Sequence, residues 1–591
     1  MFNVSILGRA AVIFLPALIL IACDSKQPAT DEPIVGVAQR SVEAIGDDYL
    51  AAMLVRYPNI ATSYAIEGAR HDRLFDNSLE ALAEWQALED DWLVELEAIG
   101  EPADVGSRDW VTFGFLQEKL AASQASRICR RELWETSTTT AWYRGLPFIF
   151  DIQPLETPDL KQQALARLGE VDRYLDTEVQ NLQKGLGLGY SSPRLTVVAV
   201  PDEVRALREE SNPFLGMGAR AEDEEFAAAV RKIFDEEIVP AINRFADFIE
   251  VEYVLNAREE IALSYNPDGA ECYPTLVRYF ATISPTADEI HELGLAQIAK
   301  IRGEMQVILA DHWEGESVES FVRRINVDAE FTFQTEDDVL QYSVDSLDAA
   351  RNKMADVFGL LPKAEVIIKP YPAFAASGVG EYHSSSEDGT RPGIFYIAVR
   401  DPEHRSRATQ QSTLYHETYP GHHLQGAIAL ELGDKVHALA RYLWNSGYGE
   451  GWALYSERVA QELDLYNGPL DLMGLLSDQA ARAARLVIDS GIHTKGWTRQ
   501  QSVDYMLNNT GWAEVDIQND INRYISWPGQ ANSYMLGMLE IRRLRTLAED
   551  QLGEDFDLRE FHDRILENGS MTLPMIEKGV LAWIEKMKRE T

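Results

Sequence analysis

The sequence predicts a mainly α-helical protein that carries one small β-sheet. Segments such as SVEAIGDDYLAAMLVRYP and DLKQQALARLGEVDRYLDTEVQNLQKGL place apolar residues three or four positions apart, which is the spacing of amphipathic helices. A further long helix is predicted to begin at Thr286, because Glu289 follows it at the spacing of a capping box. The chain has 591 residues and 46% of them are hydrophobic, which is enough for a large buried core.

The predicted sheet lies before a histidine-rich motif at residues 414–426. Residues 364–374 (AEVIIKPYPAF) and 393–402 (GIFYIAVRDP) are short runs rich in β-branched and aromatic residues, as strands are. The stretch between them is rich in Gly, Ser and Asp and predicts a loop. We therefore expect a small antiparallel sheet next to the motif.

The charge balance argues against nucleic acid as a partner. Asp and Glu together number 95 against 54 Lys and Arg, for a formal net charge of −41. The sequence shows no basic stripe of the kind that binds a phosphate backbone. The acidity is typical of a solvated surface whose self-repulsion keeps a protein soluble.

The N-terminus is predicted to be a targeting segment. Arg9 precedes the apolar run AAVIFLPALILIAC, whose last four residues resemble a bacterial lipobox ending at Cys23. We expect residues 1–22 to be a lipoprotein signal peptide and residues 23–38 a tether. The mature chain would then lie on the periplasmic side of the cell envelope and touch the membrane only through a lipid on Cys23. The alternatives are an uncleaved anchor, or an ordinary signal peptide with a chance cysteine.

The rest of the chain is divided where the newly capped helix begins. We expect residues 39–283 to form an N-terminal helical region and residues 284–591 the catalytic region. Cys129 and Cys272 could form a disulfide in an oxidising compartment or remain separate buried thiols, and the sequence leaves both interpretations open.

The stretch LYHETYPGHHLQG, residues 414–426, begins like the zinc-binding pattern HExxH and then departs from it. His416 and Glu417 are followed, at the expected histidine position, by Pro420. On a straight helix His416 and His423 would lie roughly 10 Å apart along the axis, whereas zinc–nitrogen bonds are about 2 Å long. A straight helix therefore cannot join these two histidines to one ion.

We therefore expect this helix to be interrupted. Proline lacks an N–H and clashes with the carbonyl four residues back, and a following glycine gives the chain freedom to bulge. Without Pro420 and Gly421 the sequence would be HETYH, a complete motif. We infer that these two residues form an excursion that returns His422 to the ligand position and leaves His423 as a supporting or substrate-binding residue. The alternative is a group of surface histidines near a helix kink.

A third ligand is expected on the next helical segment, SGYGEGWALYSERVAQEL. Glu450 lies 28 residues after His422, between glycines, and Glu457 is the second choice. Two imidazoles and one carboxylate leave zinc an open position for water. Glu417, next to the first ligand, is placed to take a proton from that water and pass it to the leaving amine.

Other polar residues complete the predicted site. In RYISWPGQANSYMLG, Gln530 and Tyr534 lie four apart after a Pro-Gly turn. Tyr534 is predicted to stabilise the oxyanion, with Tyr524 as second choice, and the alternative is a buried tyrosine with a satisfied hydroxyl. Asp489 and His493, four apart on one helix, could support the site or form a plain helix hydrogen bond.

These motifs together resemble the bacterial "domain of unknown function 885" family, whose signature is HExxPGHH followed by Gln. The resemblance runs through YHETYPGHHLQ, GEGWALYSE, DSGIHTKGW and RYISWPGQANSYMLG and covers nearly all of the mature chain. The family is similar to helical zinc peptidases of the angiotensin-converting-enzyme and thimet-oligopeptidase type. The resemblance implies a two-lobed helical, zincin-like fold around a deep cleft, with an edge strand of the sheet able to pair with a peptide.

The same resemblance implies zinc on His416, His422 and Glu450, with Glu417 as the general base. The Pro-Gly insertion departs from the peptidase pattern and leaves open whether His422 or His423 is the second ligand. The residues that we expect to bind substrate or support the site are, in chain order, Arg391, His423, Gln425, Asp489, His493, Tyr524 and Gln530.

We therefore expect a zinc-dependent hydrolase that cleaves amide bonds of short peptides, or another small amide, outside the cytoplasm. Arg391, before the second strand, could bind a substrate carboxylate through two nitrogens or be a plain surface arginine. The main alternative is a lipid-anchored peptide- or solute-binding protein whose metal site is structural or lost. A zinc amidase acting on cell-wall peptides would use the same residues, and the sequence does not separate exopeptidase from endopeptidase.

Overall fold

The computed structural model describes residues 40–590, except residues 65, 67, 372–379, 388 and 390. The predicted signal peptide, the tether and Cys23 lie outside the described residues. Among the helices that are described, none combines the length and the apolar character that crossing a membrane requires. The chain from Arg40 onward forms one compact unit, and the predicted division near Ser284 stays a prediction.

The protein is mainly helical, as predicted. The first helices are α1 (Val42–Arg56), α2 (Pro58–Tyr64), α3 (Leu79–Ile99), α4 (Arg108–Ser126), α5 (Leu146–Asp151), α6 (Pro158–Gly169), α7 (Val171–Leu188), α8 (Arg194–Val197), α9 (Val200–Ala206), α10 (Pro213–Arg220), α11 (Glu224–Ile233), α12 (Val239–Phe248), α13 (Val254–Asn256) and α14 (Gly269–Ala281). The later helices are α15 (Ala287–His312), α16 (Val318–Arg324), α17 (Glu336–Val357), α18 (Gln410–Glu417), α19 (His422–Glu431), α20 (Ala438–Tyr442), α21 (Ser446–Glu462), α22 (Pro469–Lys495), α23 (Arg499–Asn509), α24 (Glu514–Ser526), α25 (Ser533–Leu552), α26 (Leu558–Leu566) and α27 (Leu573–Glu590).

Helix α15 begins where the sequence predicts it. The Thr286 hydroxyl accepts a hydrogen bond from the Glu289 N–H at 3.2 Å, and the Glu289 carboxylate accepts one from the Thr286 N–H at 2.8 Å. These are the two reciprocal bonds of the predicted capping box. Helix α15 packs along α22, whose residues from Leu470 to His493 are almost all buried. Helix α22 is therefore the central helix of the core.

Helices α21 and α25 cross with their backbones in contact. A Cβ atom on Gly537 would lie 1.9 Å from the carbonyl oxygen of Gly447, and one on Gly451 would lie 2.5 Å from the Cα of Gly537. Because glycine has no Cβ, the two helices can approach this closely. The close crossing makes neighbours of two motifs that the sequence singled out, GEGWALYSE and GQANSYMLG.

The described part of the chain contains one small sheet with the strand order β1–β3–β2. Its strands are β1 (Val366–Pro370), β2 (Gly380–His383) and β3 (Gly393–Ile397). Strand β2 runs antiparallel to β3, but β1 runs parallel to it, so the prediction of a wholly antiparallel sheet is wrong. Strand β2 comes between them in the chain and runs the opposite way, so β3 starts at the same end as β1, where the Gly393 N–H donates to the carbonyl of Glu365 at 2.8 Å.

Strand β2 lies in the stretch that the sequence predicts to be a loop. It is only four residues long and begins with glycine, so its local propensity for strand is weak. Pairing with β3, which sets Tyr382 opposite Phe395, stabilises the extended conformation that the local sequence favours only weakly. The strand therefore depends on tertiary contacts that a sequence pattern does not contain.

Cys129 and Cys272 form a disulfide, the first of the two alternatives that the sequence leaves open. It joins the short turn after α4 to helix α14.

Buried His562 connects three helices of the core. Its Nδ1–H donates to the carbonyl of Val357 at the end of α17, and its Nε2 accepts from the hydroxyl of Tyr455 on α21, both at 2.8 Å. Burial lowers the pKa of His562 to about 3, so the folded protein holds it neutral.

We predict that His562 makes stability depend on pH between about 6.5 and 3. Above an unfolded-state pKa of about 6.5 the side chain is neutral in both states, whereas at lower pH only the unfolded chain gains the proton. The contribution of His562 to the free energy of unfolding should therefore fall by up to about 1.4 kcal/mol for each pH unit of acidification. Urea unfolding midpoints measured between neutral pH and pH 4 should fall less steeply in His562→Gln than in the wild type.

The matched control is His312→Gln, because His312 is an exposed histidine at the end of α15. Its midpoints should follow those of the wild type at every pH. If His562→Gln also kept the wild-type slope, the prediction would be wrong.

Candidate metal centre

The helix of the histidine motif is interrupted, as predicted. Helix α18 ends at Glu417 and α19 begins at His422, so four residues leave the helix rather than the predicted two. The Tyr419–Pro420 peptide bond within the break is cis. The indole N–H of Trp452 donates to the carbonyl of Pro420 at 3.0 Å, so the break is held by α21.

The interruption brings the first two predicted ligands together. The rings of His416 and His422 lie 4.8 Å apart, centroid to centroid, and are nearly perpendicular. Nε2 of His416 lies 3.5 Å and Nε2 of His422 lies 3.4 Å from the same oxygen of Glu450, Oε2. Among the residues that the structure describes, this is the one place where three His, Cys, Asp or Glu side chains converge in this way.

The third residue of this cluster, Glu450, is held in its charged form. Burial alone would raise the pKa of Glu450, but hydrogen bonds from His416 and His422 keep it well below its usual value. The cluster therefore presents one carboxylate to two imidazoles in a largely buried setting, where the side chains are 16%, 4% and 13% exposed in that order.

Glu457, the second choice for the third ligand, lies behind His416 instead. Its Oε1 is 2.9 Å from Nδ1 of His416, on the side of the ring away from Glu450. Its Oε2 accepts a hydrogen bond from Nε2 of Gln479 at 2.8 Å, and its side chain is fully buried. A neutral His416 that donates Nδ1–H to Glu457 would have its Nε2 lone pair available to a metal ion.

Glu417 lies on the wall of a cavity of about 390 Å³ that opens beside the cluster. Burial raises the pKa of Glu417, and the neighbouring His422 and His416 offset the rise only in part. A carboxylate with a raised pKa is a better proton acceptor near neutral pH than an exposed one. Strand β2, at the edge of the sheet, lines the same cavity.

Tyr534 lines the cavity, and Tyr524 does not. The Tyr534 ring stacks against that of His416 at 6.5 Å, and burial raises its pKa. The Tyr524 hydroxyl instead donates to Asp520 and accepts from Nε of Arg485 at 2.9 Å. Tyr534, the first choice for oxyanion donor, thus lies at the cluster. Tyr524, the second choice, uses its hydroxyl in hydrogen bonds with Asp520 and Arg485.

His423 points away from the cluster. Its Nδ1 accepts from the hydroxyl of Tyr382 at 2.9 Å, and its Nε2–H donates to the carbonyl of Ala364 at 3.1 Å. Burial lowers its pKa to about 4, so it is neutral. Both ring nitrogens are used in joining α19 to the sheet, which leaves none for a substrate. Gln425 does line the cavity, and neither atom of its buried amide has a well-formed hydrogen bond within the described residues.

Asp489 and His493 hold the segment that carries Tyr534. Asp489 accepts hydrogen bonds from the hydroxyl of Tyr273 at 2.6 Å, from the amide of Asn532 at 2.7 Å and from the N–H of Gly529 at 3.2 Å. His493 binds two backbone groups, accepting from the Leu263 N–H at Nδ1 and donating from Nε2 to the Tyr524 carbonyl. Asp489 therefore fixes the turn before α25, and His493 fixes the preceding helix α24.

The other two predicted polar residues lie further from the cluster. The Gln530 amide oxygen accepts from Nη1 of Arg523 at 2.6 Å, in the wall of a neighbouring cavity. Arg391 is exposed in the loop between β2 and β3, where its backbone N–H donates to the hydroxyl of Ser386 and its guanidinium donates to the carbonyl of Ser384.

Sequence reasoning missed three side chains of the main cavity. Trp444 places its ring 5.5 Å from that of His422. Arg482 and Arg485 project from α22, and the Arg485 guanidinium lies 4.4 Å above the Tyr534 ring. Arginines three apart on a helix usually face solvent, so the sequence carries no signal that α22 is buried on all sides.

We predict that Gly421→Ala destabilises the protein. A Cβ atom at this position would lie 1.9 Å from the carbonyl oxygen of His416 and 2.5 Å from that of Tyr415, so the backbone has to move. Overpacking of this kind typically costs about 1–3 kcal/mol or more. Thermal unfolding should show a clearly lower midpoint.

Gly426→Ala is the control, because nothing lies within 4 Å of a Cβ atom built there. In the middle of α19 this change should be neutral or stabilise the helix by up to about 1 kcal/mol. Equal midpoints for the two variants would show that the break does not need a glycine.

Comparison with known proteins gives the family. Residues 58–580 match the profile described as "Bacterial protein of unknown function (DUF885)". A solved structure of a "putative lipoprotein from Colwellia psychrerythraea" is similar, with a TM-score of 0.86 and 26% sequence identity over 92% of this chain and 100% of that chain. A "putative lipoprotein of unknown function from Shewanella oneidensis" shares the fold, with a TM-score of 0.71 and 17% identity over the same shares of the two chains. No curated protein matches the sequence. The match over most of its length shows that the chain belongs to the bacterial family of unknown function DUF885.

Proposed function

We propose that this protein is a zinc-dependent hydrolase that cleaves amide bonds of short peptides outside the cytoplasm. The observation that carries the proposal is the convergence of His416, His422 and Glu450 in the wall of a cavity, with Glu417 beside them. The family description gives no function, so the proposal depends on the chemistry of these side chains.

The donor atoms fit zinc. Two imidazole nitrogens and one carboxylate oxygen form the ligand set of many catalytic zinc sites. Ligand atoms about 2.0–2.2 Å from a tetrahedral zinc lie roughly 3.3–3.6 Å from each other. The two distances of 3.5 and 3.4 Å from the histidine nitrogens to Glu450 match that spacing. Glu457 behind His416 adds the carboxylate–histidine pair that commonly orients a zinc ligand.

When bound, zinc supplies Lewis-acid chemistry that polarises a substrate carbonyl and makes water more acidic. The Glu417 carboxylate would accept a proton from the attacking water and donate it to the leaving amine nitrogen. The Tyr534 hydroxyl would donate a hydrogen bond to the carbonyl oxygen as negative charge develops there. The edge strand β2 would bind an extended peptide through its main chain.

The resemblance to helical zinc peptidases of the angiotensin-converting-enzyme and thimet-oligopeptidase type supports this proposal. We propose that this protein also has the two-lobed architecture and the deep cleft of those peptidases. The solved structures from Colwellia and Shewanella are described as those of lipoproteins, each with the word "putative". Those descriptions support a lipid anchor on Cys23 at the periplasmic side of the cell envelope.

The proposal is tested by metal content and hydrolysis together. Protein lacking residues 1–23 should contain about one zinc per chain by elemental analysis and should cleave members of a short-peptide library. Glu417→Gln should keep the zinc and lose hydrolysis, because the proton acceptor is gone and the ligands remain. His422→Ala should lose both, whereas His423→Ala should keep the zinc.

Zinc retained in His422→Ala but lost in His423→Ala would mean that the break presents the other histidine. A wild-type protein that binds no zinc after reconstitution would exclude the hydrolase proposal and favour a lipid-anchored binding protein.

Glu457→Gln provides a separate prediction about the residue behind His416. The substitution keeps the shape and removes the charge that orients and polarises the imidazole, so zinc affinity should fall about 10–100-fold. Competition with a chromophoric chelator measures that affinity directly. Glu462→Gln, an exposed position on the same helix, is the control and should bind zinc as the wild type does. Equal affinities for the two variants would contradict the role of Glu457.

A further inference from the structure

A cavity of about 540 Å³ lies next to the one that contains Glu417. We call it the aromatic cavity, because four aromatic side chains line it: Tyr64, Phe148, Tyr442 and Trp444. Five residues line both cavities, namely Tyr64, Glu381, Ser384, Leu443 and Trp444. The two cavities are therefore continuous, and a substrate at the metal cluster can extend from one into the other.

The aromatic cavity exposes rings that a folded protein normally buries. Phe148 is 42% and Trp444 is 52% exposed, and together with Tyr265 they are the most exposed aromatic side chains of the described residues. Ile60 and Ile152 add apolar surface to the same wall. A single exposed ring is ordinary, whereas two that face one concave surface indicate a site for an apolar ligand.

Both exposed rings are held in place by their neighbours. The Phe148 ring meets the ring of His383, on strand β2, edge to face at 5.4 Å between centroids. The Trp444 ring lies 5.5 Å from that of His422 and rests on Gly449, where a Cβ atom would come within 2.0 Å of it. Side chains that are already ordered lose little conformational entropy when a ligand binds.

Strand β2 leads from the metal cluster to the aromatic cavity. At its start, a Cβ atom on Gly380 would lie 3.2 Å from the side chain of Thr413, which is one helical turn before Glu417 on α18. His383, which contacts Phe148, follows three residues later. Because a strand rises about 3.3 Å per residue, the cavity begins about 10 Å from the level of Glu417.

The faces of β2 show which side chains of a bound peptide would enter the cavity. Tyr382 faces α19, where its hydroxyl bonds to His423. Glu381 and His383, on the other face of the strand, line the aromatic cavity. Within the described residues β2 pairs only with β3, so its other edge can accept an extended peptide. Side chains alternate between the faces of a strand, so every second side chain of that peptide would point to the aromatic cavity.

The charges in the wall select the class of side chain that fits. Aromatic rings can also bind cations, but the Lys119 ammonium and the Arg391 guanidinium line this cavity and would repel one. The Glu381 carboxylate lies 3.1 Å from Nε2 of His383. Since an apolar cavity of about 150 Å³ already holds benzene, the space is sufficient for a neutral aromatic ring.

We propose that the aromatic cavity binds an aromatic side chain of the substrate, about three residues from the cleaved peptide bond. This inference rests on the proposed function, because the metal cluster has to be the place of cleavage. The bound ring would contact Phe148 and Trp444 in stacked or edge-to-face arrangements. Peptides with Phe, Tyr or Trp at that position are the substrate class that follows.

The experiment first measures binding without turnover. Glu417→Gln protein lacking residues 1–23 would be incubated with zinc and titrated calorimetrically with blocked Ala/Ser nonapeptides that differ only in the central residue. The Phe peptide should bind about tenfold tighter or more than the Ala peptide, because the cavity removes the ring from water. The Lys peptide should bind no better than the Ala peptide.

The preference for Phe should disappear when Phe148→Ala or Trp444→Ala is added to Glu417→Gln. Tyr265→Ala is the matched control, since Tyr265 is an exposed aromatic residue that lines neither cavity, and it should keep the preference. In the active wild type, mass spectrometry should find the cut about three residues from Phe, and the cut should move by one residue when Phe does.

Equal binding of the Phe and Ala peptides would overturn the proposal, as would a preference that survives Phe148→Ala or is lost in Tyr265→Ala. If Trp444→Ala does not fold, Phe148→Ala decides alone. The readouts also separate this inference from the proposed function. A protein that lacks zinc and hydrolysis but prefers the Phe peptide through Phe148 would bind aromatic peptides without cleaving them. Hydrolysis without that preference would leave the enzyme and remove this subsite.

Discussion

The candidate site depends on a break in one helix. Residues six apart on a straight helix point to different faces, so His416 and His422 can meet one carboxylate only because the chain leaves the helix between them. Gly421 lies against the carbonyl of His416, and Trp452 holds the carbonyl of Pro420 from the neighbouring helix. The break is therefore a packed element of the core with its own partners.

Helix α21, which holds this break through Trp452, also supplies both glutamates that contact His416. Glu450 and Glu457 lie two turns apart on α21, so they share a face and meet opposite sides of the His416 ring. Gln479, from the central helix α22, fixes Glu457 in turn. Gln479 restricts the rotation of Glu457, and Glu457 restricts that of the His416 ring, so the buried side chains hold their nitrogen and oxygen atoms a few ångströms apart.

The sequence predicts those parts of the site that depend on local signals. The helix cap at Thr286, the interruption at Pro420 and the helical position of Glu450 each follow from spacing along one segment. The rest depends on how segments pack. Whether Glu457 joins His422 and Glu450 or lies behind the His416 ring is set by the rotation of α21 against α18. The parallel pairing of β1 with β3 follows from β2, which comes between them in the chain and runs the opposite way. The sequence of one segment alone therefore predicts neither the position of Glu457 nor the direction of β1.

The cavity beside the candidate metal cluster, in whose wall Gln530 lies, is formed by distant parts of the chain. Lys119 and Tyr279 precede residue 284, whereas every member of the metal cluster follows it. Side chains that could hold a metal ion and some of the side chains that shape the neighbouring cavity thus come from separate stretches of sequence, which meet only after folding. A substitution in α4 or α14 can therefore reshape the neighbouring cavity without contacting His416, His422 or Glu450.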